Sequence, residues 1–353
     1  MKGTRSTTIF AGAGHYAPGN GERYSGGVFR TTADDGTWQA VSAGLPENVE
    51  ARAFLVHPEN PDVVYAGTQD GPYRSVDGGL RWERLGFPER GAVVWSLAFH
   101  PANPDVMYAG LAPVAIYRSE NGGASWKKLP GAISPGHCEM GFPTRVTRIA
   151  VDPAHPGDVY AALEVSGVIH SSDGGDTWHD VSAPLIELAR EPHLKSRIGS
   201  DIDAEGMLDS HAIAVSGGRV FLAVRMGVFE SGDRGASWRD IGIGRFSPLV
   251  YCRDVIVSPQ DPAVMYACLS TASRSTDGSL YRSADTGRTW QRYDHGVKAH
   301  ATMMSANVHP ADPARVYCVS RCGQVFGTED DGASWREYPL PPGVQDVYTV
   351  ACA

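Results

Sequence analysis

Short stretches of alternating apolar and polar residues follow one another along the whole chain, separated by turn residues. Arg52-Ala-Phe-Leu-Val-His57 alternates in this way, residues 58–62 form a turn, and Val63-Val-Tyr-Ala-Gly67 is a short apolar run. Pro72-Tyr-Arg-Ser75 and Trp82-Glu-Arg-Leu85 complete the series. Alternation with a period of two predicts β-strands, and proline, glycine and aspartate between the runs predict tight turns. The pattern therefore predicts a unit of four strands.

The unit repeats, and each copy carries the phrase Ser/Thr-x-Asp-x-Gly-x-Ser/Thr-Trp, which we call the tryptophan box. The box recurs, with small variations, at Ser75–Trp82, Ser119–Trp126, Ser171–Trp178, Ser231–Trp238, Ser283–Trp290 and Thr328–Trp335, and one residue shorter at Thr32–Trp38. Its glycine tolerates positive φ, and its aspartate and hydroxyl groups can hydrogen-bond to the turn backbone. We therefore expect the box aspartates to be structural. Repeats of roughly 40–50 residues with four strands each are typical of β-propellers. The sequence predicts an all-β fold in which residues 1–353 form a single seven-bladed propeller of four-stranded blades.

The two ends of the chain predict how the ring closes. Thr7-Thr-Ile-Phe-Ala11 matches a second strand, and Asp346-Val-Tyr-Thr-Val-Ala-Cys352 matches an inner strand that has no blade of its own. We expect this C-terminal strand to complete the first blade, which leaves no open sheet edge.

These boxes resemble those of the Asp-box (bacterial neuraminidase repeat) superfamily, which includes sialidases, two-propeller xyloglucanases, the sortilin ectodomain and a photosystem II assembly factor. The resemblance covers the whole chain and implies the fold, but the family mixes enzymes with binding scaffolds, so it does not imply one activity. Sialidases have six blades and an Arg-Ile-Pro segment, and the chain lacks that segment. It also lacks a second propeller that would form a xyloglucanase cleft. We therefore expect neither of these activities.

Charge and composition narrow the class of protein. The formal net charge is −9, which argues against a nucleic-acid partner. The sequence contains no run of 18 apolar residues that would span a membrane and no dinucleotide motif, so we expect neither membrane insertion nor a nucleotide cofactor. The six cysteines fit neither a zinc ribbon nor a disulfide framework. A cytoplasmic location with free thiols is the expectation.

Alignment of the repeats shows where the pattern is broken by reactive side chains. Five residues before each inner turn stand Arg52, Trp95, Thr147, His211, Arg253 and Met304, and seven before it stand Glu50, Val93, Arg145, Asp209, Tyr251 and Thr302. Equivalent positions at the ends of the second strands are Gly14, Gln69, Ala112, Glu164, Arg225, Ser270 and Arg321. Both sets are predicted to surround one mouth of the channel. Clustered arginines favour an anionic ligand, and the alternative is a structural ring in which they pair with carboxylates.

Six histidines fall in connections on the same face, and they suggest two further roles. His15, His137, His211 and His300 are candidate ligands of a divalent metal, with Glu139 or Glu164 as an oxygen ligand, although no HxH or HxxxH spacing supports this. The other role is general acid–base catalysis. The connection over residues 182–210 is long enough to be a lid, and its segment 184–190 is a candidate helix.

Three functional readings follow. The first is a hydrolase or lyase acting on a small anionic molecule, with catalysis by His211, Tyr251, Glu164 and His300 and substrate binding by Arg52, Arg145, Arg225, Arg253, Arg321, Trp95 and Asp209. The second is a non-catalytic scaffold that binds a protein partner. The third is a carbohydrate-binding or glycosidase-like propeller, in which Trp95 stacks on sugar and Glu164 and Asp209 form the carboxylate pair.

Overall fold

The computed structural model describes residues 6–14, 26–199 and 202–353. Over these residues the strands form seven antiparallel sheets of four strands, arranged as a closed ring. Strands β1–β28 are numbered in chain order. From the channel outward, the first blade consists of β28 (Val347–Cys352), β1 (Thr8–Ala13), β2 (Gly27–Thr32) and β3 (Gln39–Val41), and the second of β4 (Ala51–Val56), β5 (Val64–Thr68), β6 (Gly71–Ser75) and β7 (Glu83–Arg84). The third blade consists of β8 (Val93–His100), β9 (Asn103–Ala112), β10 (Ile116–Ser119) and β11 (Lys127–Lys128), the fourth of β12 (Val146–Val151), β13 (Val159–Leu163), β14 (Gly167–Ser171) and β15 (His179–Asp180), and the fifth of β16 (Ser210–Ser216), β17 (Arg219–Val224), β18 (Gly227–Ser231) and β19 (Arg239–Asp240). The sixth blade consists of β20 (Tyr251–Val257), β21 (Met265–Ser270), β22 (Ser279–Ser283) and β23 (Gln291–Arg292), and the seventh of β24 (Met303–Val308), β25 (Val316–Ser320), β26 (Gln324–Thr328) and β27 (Arg336–Pro339).

The first blade closes as the sequence predicts. The C-terminal strand β28 pairs antiparallel with β1, with Ile9 opposite Cys352 and Ala11 opposite Val350. Strand β28 also packs against the inner strands β24 and β4 of the neighbouring blades. The two ends of the described chain are thus joined within one sheet, and the predicted seven-bladed architecture is confirmed.

The core lies between the blades. Each of seven apolar clusters combines side chains of adjacent blades, as where Phe10 and Val28 of the first blade pack with Val64 and Trp82 of the second. The tyrosine of the recurring Val-Tyr-Ala strand is buried in every such blade, for example Tyr108 and Tyr160, each 1 % exposed. Because every blade buries both of its faces against neighbours, apolar residues occur on both faces of the second strands.

The tryptophan box forms the hairpin between the third and fourth strands. In the second blade, Ser75 Oγ accepts the amide N–H of Gly79 at 2.8 Å and donates to Asp77 Oδ1 at 2.8 Å. Asp77 in turn accepts the amide of Arg81, and this backbone hydrogen bond lowers the pKa of the Asp77 carboxyl. Gly79 has a φ of +85°, and a Cβ there would lie 2.3 Å from the ring of Phe10. The box residues therefore hold the hairpin, as the sequence indicates.

A substitution in this hairpin tests its contribution to stability. Ser75→Ala should lower the free energy of unfolding by about 1–3 kcal/mol, because the buried Gly79 amide loses its acceptor. Val76→Ala is the matched control, since the neighbouring Val76 is 62 % exposed and should change stability by less than about 0.5 kcal/mol. Urea unfolding followed by tryptophan fluorescence measures both. Equal effects of the two substitutions would contradict the structural role of the box serine.

Helical structure is confined to short connections in the described residues. Helices α1 (Ala183–Leu188) and α2 (Glu205–Leu208) lie in the long connection, and a 3-10 turn covers Ile243–Arg245. Helix α1 overlaps the predicted helical segment 184–190 and begins one residue before it. None of the helices in the part of the chain described is long and apolar enough to cross a membrane.

Candidate functional site

Each inner strand contains a β-bulge at an equivalent position, and β8 has a second register shift between Phe99 and His100. In the second blade Ala51 pairs with Thr68 and Ala53 pairs with Gly67, so that Arg52 has no partner on β5. The same shift occurs in the other six inner strands. The seven unpaired residues, which we call the bulge ring, are Arg52, Trp95, Thr147, His211, Arg253, Met304 and Tyr348. A bulge redirects a side chain relative to the regular pleat.

The bulge ring surrounds a cavity of about 60 Å³ in the channel, and all seven of its residues line that cavity. Six of them are the residues that stand five positions before the inner turns, so repeat alignment brings them together correctly. Tyr348 was missed because no inner turn follows β28 from which to count. Five of the seven residues that directly follow the bulges also line the cavity, among them Ser96, Arg148 and Ser305. Counting four positions back instead of five would have identified them.

At the mouth of the channel, four of the five predicted arginines lie in ion pairs, and one of the four, Arg52, is also a member of the bulge ring. Arg145 Nη2 donates to Glu164 Oε1 at 2.5 Å, and Arg321 Nη1 lies 2.9 Å from Asp346 Oδ1. The other two pairs are Arg52 with Glu50 and Arg225 with Asp209. These ion pairs form the structural ring of arginines and carboxylates that the sequence analysis gave as the alternative to an anion-binding site. We call these four ion pairs the rim.

Arg253 differs from the rim arginines. Its guanidinium lines the cavity and makes neither a hydrogen bond nor an ion pair with any described residue. Glu164 and Asp209 act on it through space without direct contact. One positive charge at the cavity is therefore without a contacting carboxylate.

Trp95 is not available as a platform for stacking a sugar. It is 8 % exposed, and its ring centroid lies 4.1 Å from Arg52 Cζ and 4.0 Å from Arg145 Cζ. These two arginines belong to the blades on either side, and Tyr348 packs edge-on against the same ring at 5.4 Å. The interpretation of Trp95 as an open stacking surface is wrong, because cation–π contacts already cover the indole.

His211, Tyr251 and Asp209 form a buried polar cluster at the cavity wall. His211 Nδ1 donates to the carbonyl of Cys252 at 2.7 Å. Its Nε2 lies 3.2 Å from both the Tyr251 hydroxyl and Asp209 Oδ2. Burial alone would raise the pKa of the Asp209 carboxyl, but His211, Arg225 and Arg253 together lower it to about 2. Burial raises the pKa of Tyr251. Asp209 is thus held ionised, and Tyr251 is held protonated.

The histidines proposed as metal ligands do not converge in the described residues. His137 Nε2 lies 2.7 Å from Asp180 on the outer strand β15, whereas His211 faces the channel and His300 is exposed. His15 lies outside the described residues. Where the structure can be searched, Asp152, His155 and Asp158 are the group with metal-ligand spacing, and they lie at the turn between β12 and β13 on the opposite face. Asp158 already pairs with His170 and Arg234.

The described part of the long connection, residues 182–199 and 202–210, is packed onto the propeller. Leu185 of α1 and Met207 and Leu208 of α2 are fully buried in the cluster that joins the fourth and fifth blades. The Glu205 carboxylate accepts the backbone amides of Ile198 and Gly199. These contacts hold both helices against the blades.

Comparison with known proteins supports the fold and favours one of the three functional readings. Residues 278–351 match the family model of sortilin, neurotensin receptor 3 (Sortilin-Vps10). A xyloglucanase of Hypocrea jecorina is 25 % identical over 292 residues, which is 75 % of this chain and 29 % of the relative. A xyloglucanase of Acetivibrio thermocellus is 26 % identical over 290 residues, 75 % of this chain and 28 % of the relative. The chain therefore spans less than a third of the length of these relatives.

Solved structures share the fold. The GH74 xyloglucanase from Xanthomonas campestris superposes with a TM-score of 0.60 at 18 % identity, over 99 % of this chain and 55 % of that one. YCF48 from Cyanidioschyzon merolae superposes with a TM-score of 0.55 at 14 % identity, over 86 % and 90 % of the two chains. The predicted resemblance to propellers of this kind is confirmed. Among the three readings, similarity to xyloglucanases favours a carbohydrate-active propeller over an enzyme for a small anionic substrate.

Proposed function

We propose that this propeller binds a polysaccharide chain of the xyloglucan class across the mouth of its channel. The observation that carries the proposal is similarity to xyloglucanases over 75 % of the chain. The rim supports it, since paired arginines and carboxylates offer many hydrogen-bond donors and acceptors to sugar hydroxyl groups without a large net charge.

An exposed aromatic ring beside the rim offers the stacking surface that Trp95 does not. Phe142 lies in the connection between β11 and β12, on the mouth face, and is 41 % exposed. Arg145 Cζ lies 5.7 Å from the centroid of its ring. An apolar ring next to fixed polar groups is typical of ligand sites in which a few polar contacts set orientation. We infer that Phe142 contacts the sugar ring faces and that the rim contacts their edges.

The residues at this mouth support binding of the polysaccharide better than its hydrolysis. Glycoside hydrolysis requires one carboxylic acid that stays protonated to assist the leaving group. Asp209, with a pKa of about 2, cannot supply that proton, and Glu164 is engaged with Arg145. Glu164 and Asp209, the carboxylate pair predicted from the sequence, therefore fit a role in binding or the role of a general base.

The test is calorimetric titration of the purified chain with xyloglucan oligosaccharides, compared with unsubstituted cello-oligosaccharides. We expect Phe142→Ala to weaken binding at least tenfold, about 1.4 kcal/mol, through the lost ring contact. Leu80→Ala is the control, because Leu80 is also an exposed apolar residue (50 %) but lies in a box hairpin at the outer edge. No heat of binding with wild-type protein, or unchanged affinity of Phe142→Ala, contradicts the proposal. Release of reducing ends, measured in parallel, reports hydrolysis.

An enzyme acting on a small anionic molecule is the second candidate. It rests on the His211–Tyr251–Asp209 cluster, in which an imidazole at the cavity wall contacts both a hydroxyl and a carboxylate. His211→Gln distinguishes the two candidates, because it should abolish turnover of such a substrate and leave oligosaccharide affinity unchanged. The four rim pairs weaken this candidate, since their arginines are already neutralised.

A further inference from the structure

The connection that carries Phe142 is supported by a connection of the next blade. Phe142 lies between β11 and β12, in residues 129–145, whereas the long connection lies between β15 and β16. Met140, two residues before Phe142, packs against the apolar cluster that contains Leu194 and Met207 of the long connection. Both connections lie on the mouth face. The place of Phe142 therefore depends on contacts made by another part of the chain.

Gly199 of the long connection lies against the end of the Met140 side chain. A Cβ on Gly199 would lie 3.5 Å from Met140 Cε and 3.9 Å from its sulfur. These are ordinary van der Waals distances, and they place the backbone of Gly199 directly beside Met140. A shift of this backbone would therefore change the support on which the Phe142 connection rests.

A buried carboxylate fixes the backbone at residues 198–199. Glu205 of α2 is 0 % exposed, and its Oε2 accepts the amide N–H of Ile198 at 2.6 Å while its Oε1 accepts that of Gly199 at 2.9 Å. The amide of Gly206 also donates to the carbonyl of Ser196 at 3.0 Å, so that α2 holds this segment at two points. A carboxylate has two acceptor oxygens and no donor, which matches two adjacent N–H groups.

The carboxylate does more than pack α2 onto the blades. An apolar side chain at position 205 would pack the helix at a lower cost, since burial of a carboxylate is unfavourable unless it is hydrogen-bonded. What Glu205 adds is a fixed position for residues 198–199, which reach the surface of the mouth face, where Ile198 is 38 % exposed. Glu205 thus sets the position of a surface segment from inside the protein.

We propose that Glu205 is a positioning residue for the surface that binds sugar at Phe142. It holds residues 198–199 against Met140, and Met140 in turn keeps the Phe142 connection in place. Glu205 is buried and acts only through these contacts. The inference rests on the proposed function in naming Phe142 as the sugar contact, whereas the path from Glu205 to Met140 is independent of it.

Methyl NMR of the free protein tests this path. The chain has eight methionines, so ¹³C-methyl labelling gives a simple spectrum in which Met140→Leu identifies the Met140 signal. Glu205→Gln keeps the size of the side chain but leaves one acceptor in place of two, and the Met140 signal should shift. Glu187→Gln, at an exposed glutamate of α1 in the same connection, should leave the signal in place. An unchanged Met140 signal in Glu205→Gln overturns the proposal.

Calorimetric titration with xyloglucan oligosaccharides tests the effect on binding. Glu205→Gln should weaken binding about fivefold and should have no further effect in a Phe142→Ala background, because residues that act through one another are coupled. A role of Glu205 in stability alone would change affinity by the same factor in both backgrounds. That result, or equal affinity of Glu205→Gln and wild type, sinks the proposal.

Met140→Ala is the second variant if Glu205→Gln does not fold. It removes the same contact from the other connection and should also weaken binding about fivefold. Ile186→Ala is the matched control, because Ile186 of α1 is half-buried against the same cluster, and its affinity should equal that of wild type. Equal effects of these two substitutions contradict the proposal. If wild-type protein binds no oligosaccharide, the proposed function fails, and the Met140 signal decides whether Glu205 positions the Phe142 connection.

Discussion

A variant that ends at Asp346 is expected to lose cooperative folding. It lacks β28, whose Val347, Val350, Ala351 and Cys352 are at most 2 % exposed. Complete burial of one such apolar side chain contributes about 1.5–3 kcal/mol, so the loss is comparable with the whole stability of a domain, about 5–15 kcal/mol. The deletion also exposes the edge of β1 and opens the ring between β24 and β4.

Circular dichroism and urea unfolding measure this effect. The truncated protein should show a broad transition with a reduced slope against urea, because less surface is buried in its native state. Addition of a peptide with the sequence of residues 347–353 should restore the sharp transition and serves as the control for nonspecific damage. An unfolding midpoint and slope equal to those of the intact chain would show that the closing strand is dispensable.

Replacement of the buried Asp209 is expected to have the second largest effect. Asp209→Asn leaves His211, Arg225 and Arg253 without their shared anion, and removal of one member of a buried ionic cluster typically costs about 3–5 kcal/mol. The folded-state pKa of Asp209 is about 2, below the ordinary 3.8. A lowered folded-state pKa stabilises the protein above the ordinary pKa, and this contribution, about 2 kcal/mol, is lost as the pH falls from about 4 to 2.

The stability difference between wild type and Asp209→Asn should therefore shrink by about 2 kcal/mol between pH 5 and pH 2. Urea unfolding at several pH values measures this difference. Asp34→Asn is the control, because Asp34 is exposed, and its effect should be small at every pH. A difference that stays constant between pH 5 and pH 2 would contradict the assignment of Asp209 as the ionised centre of the cluster.

The regular spacing of the repeats explains why the sequence predicts the blades and the channel-facing positions well. The box tryptophans align the blades, and because all inner strands share one register, a fixed offset selects Arg52, His211 and Arg253 together. The offset also predicts that they face a common channel. It cannot predict the partners of these side chains, since those depend on rotamers and on contacts between blades.

Trp95 and the histidines show most clearly that the repeat spacing does not predict the contacts of a side chain. The alignment places Trp95 at the mouth, but only the folded structure reveals that guanidinium groups from both adjacent blades cover its ring. His137 and His300 share a face with His211, yet connections of different lengths carry them to separate places. The alignment of the repeats missed Tyr348 because strand β28 is not followed by the inner turn from which the other positions were counted.

The bulge ring has a consequence for how the chemistry of this channel can change. Its seven positions occupy the same unpaired place in the strand register but carry arginine, tryptophan, threonine, histidine, methionine and tyrosine side chains. The bulge is held by the strand pairs on either side of it, so a new side chain can be introduced at one position without rebuilding the sheet behind it. Arg52, Trp95 and Tyr348 touch one another and should show coupled effects, whereas substitutions at positions without shared contacts should be additive. A channel built in this way could acquire new ligand specificity through single substitutions while the propeller around it stays the same.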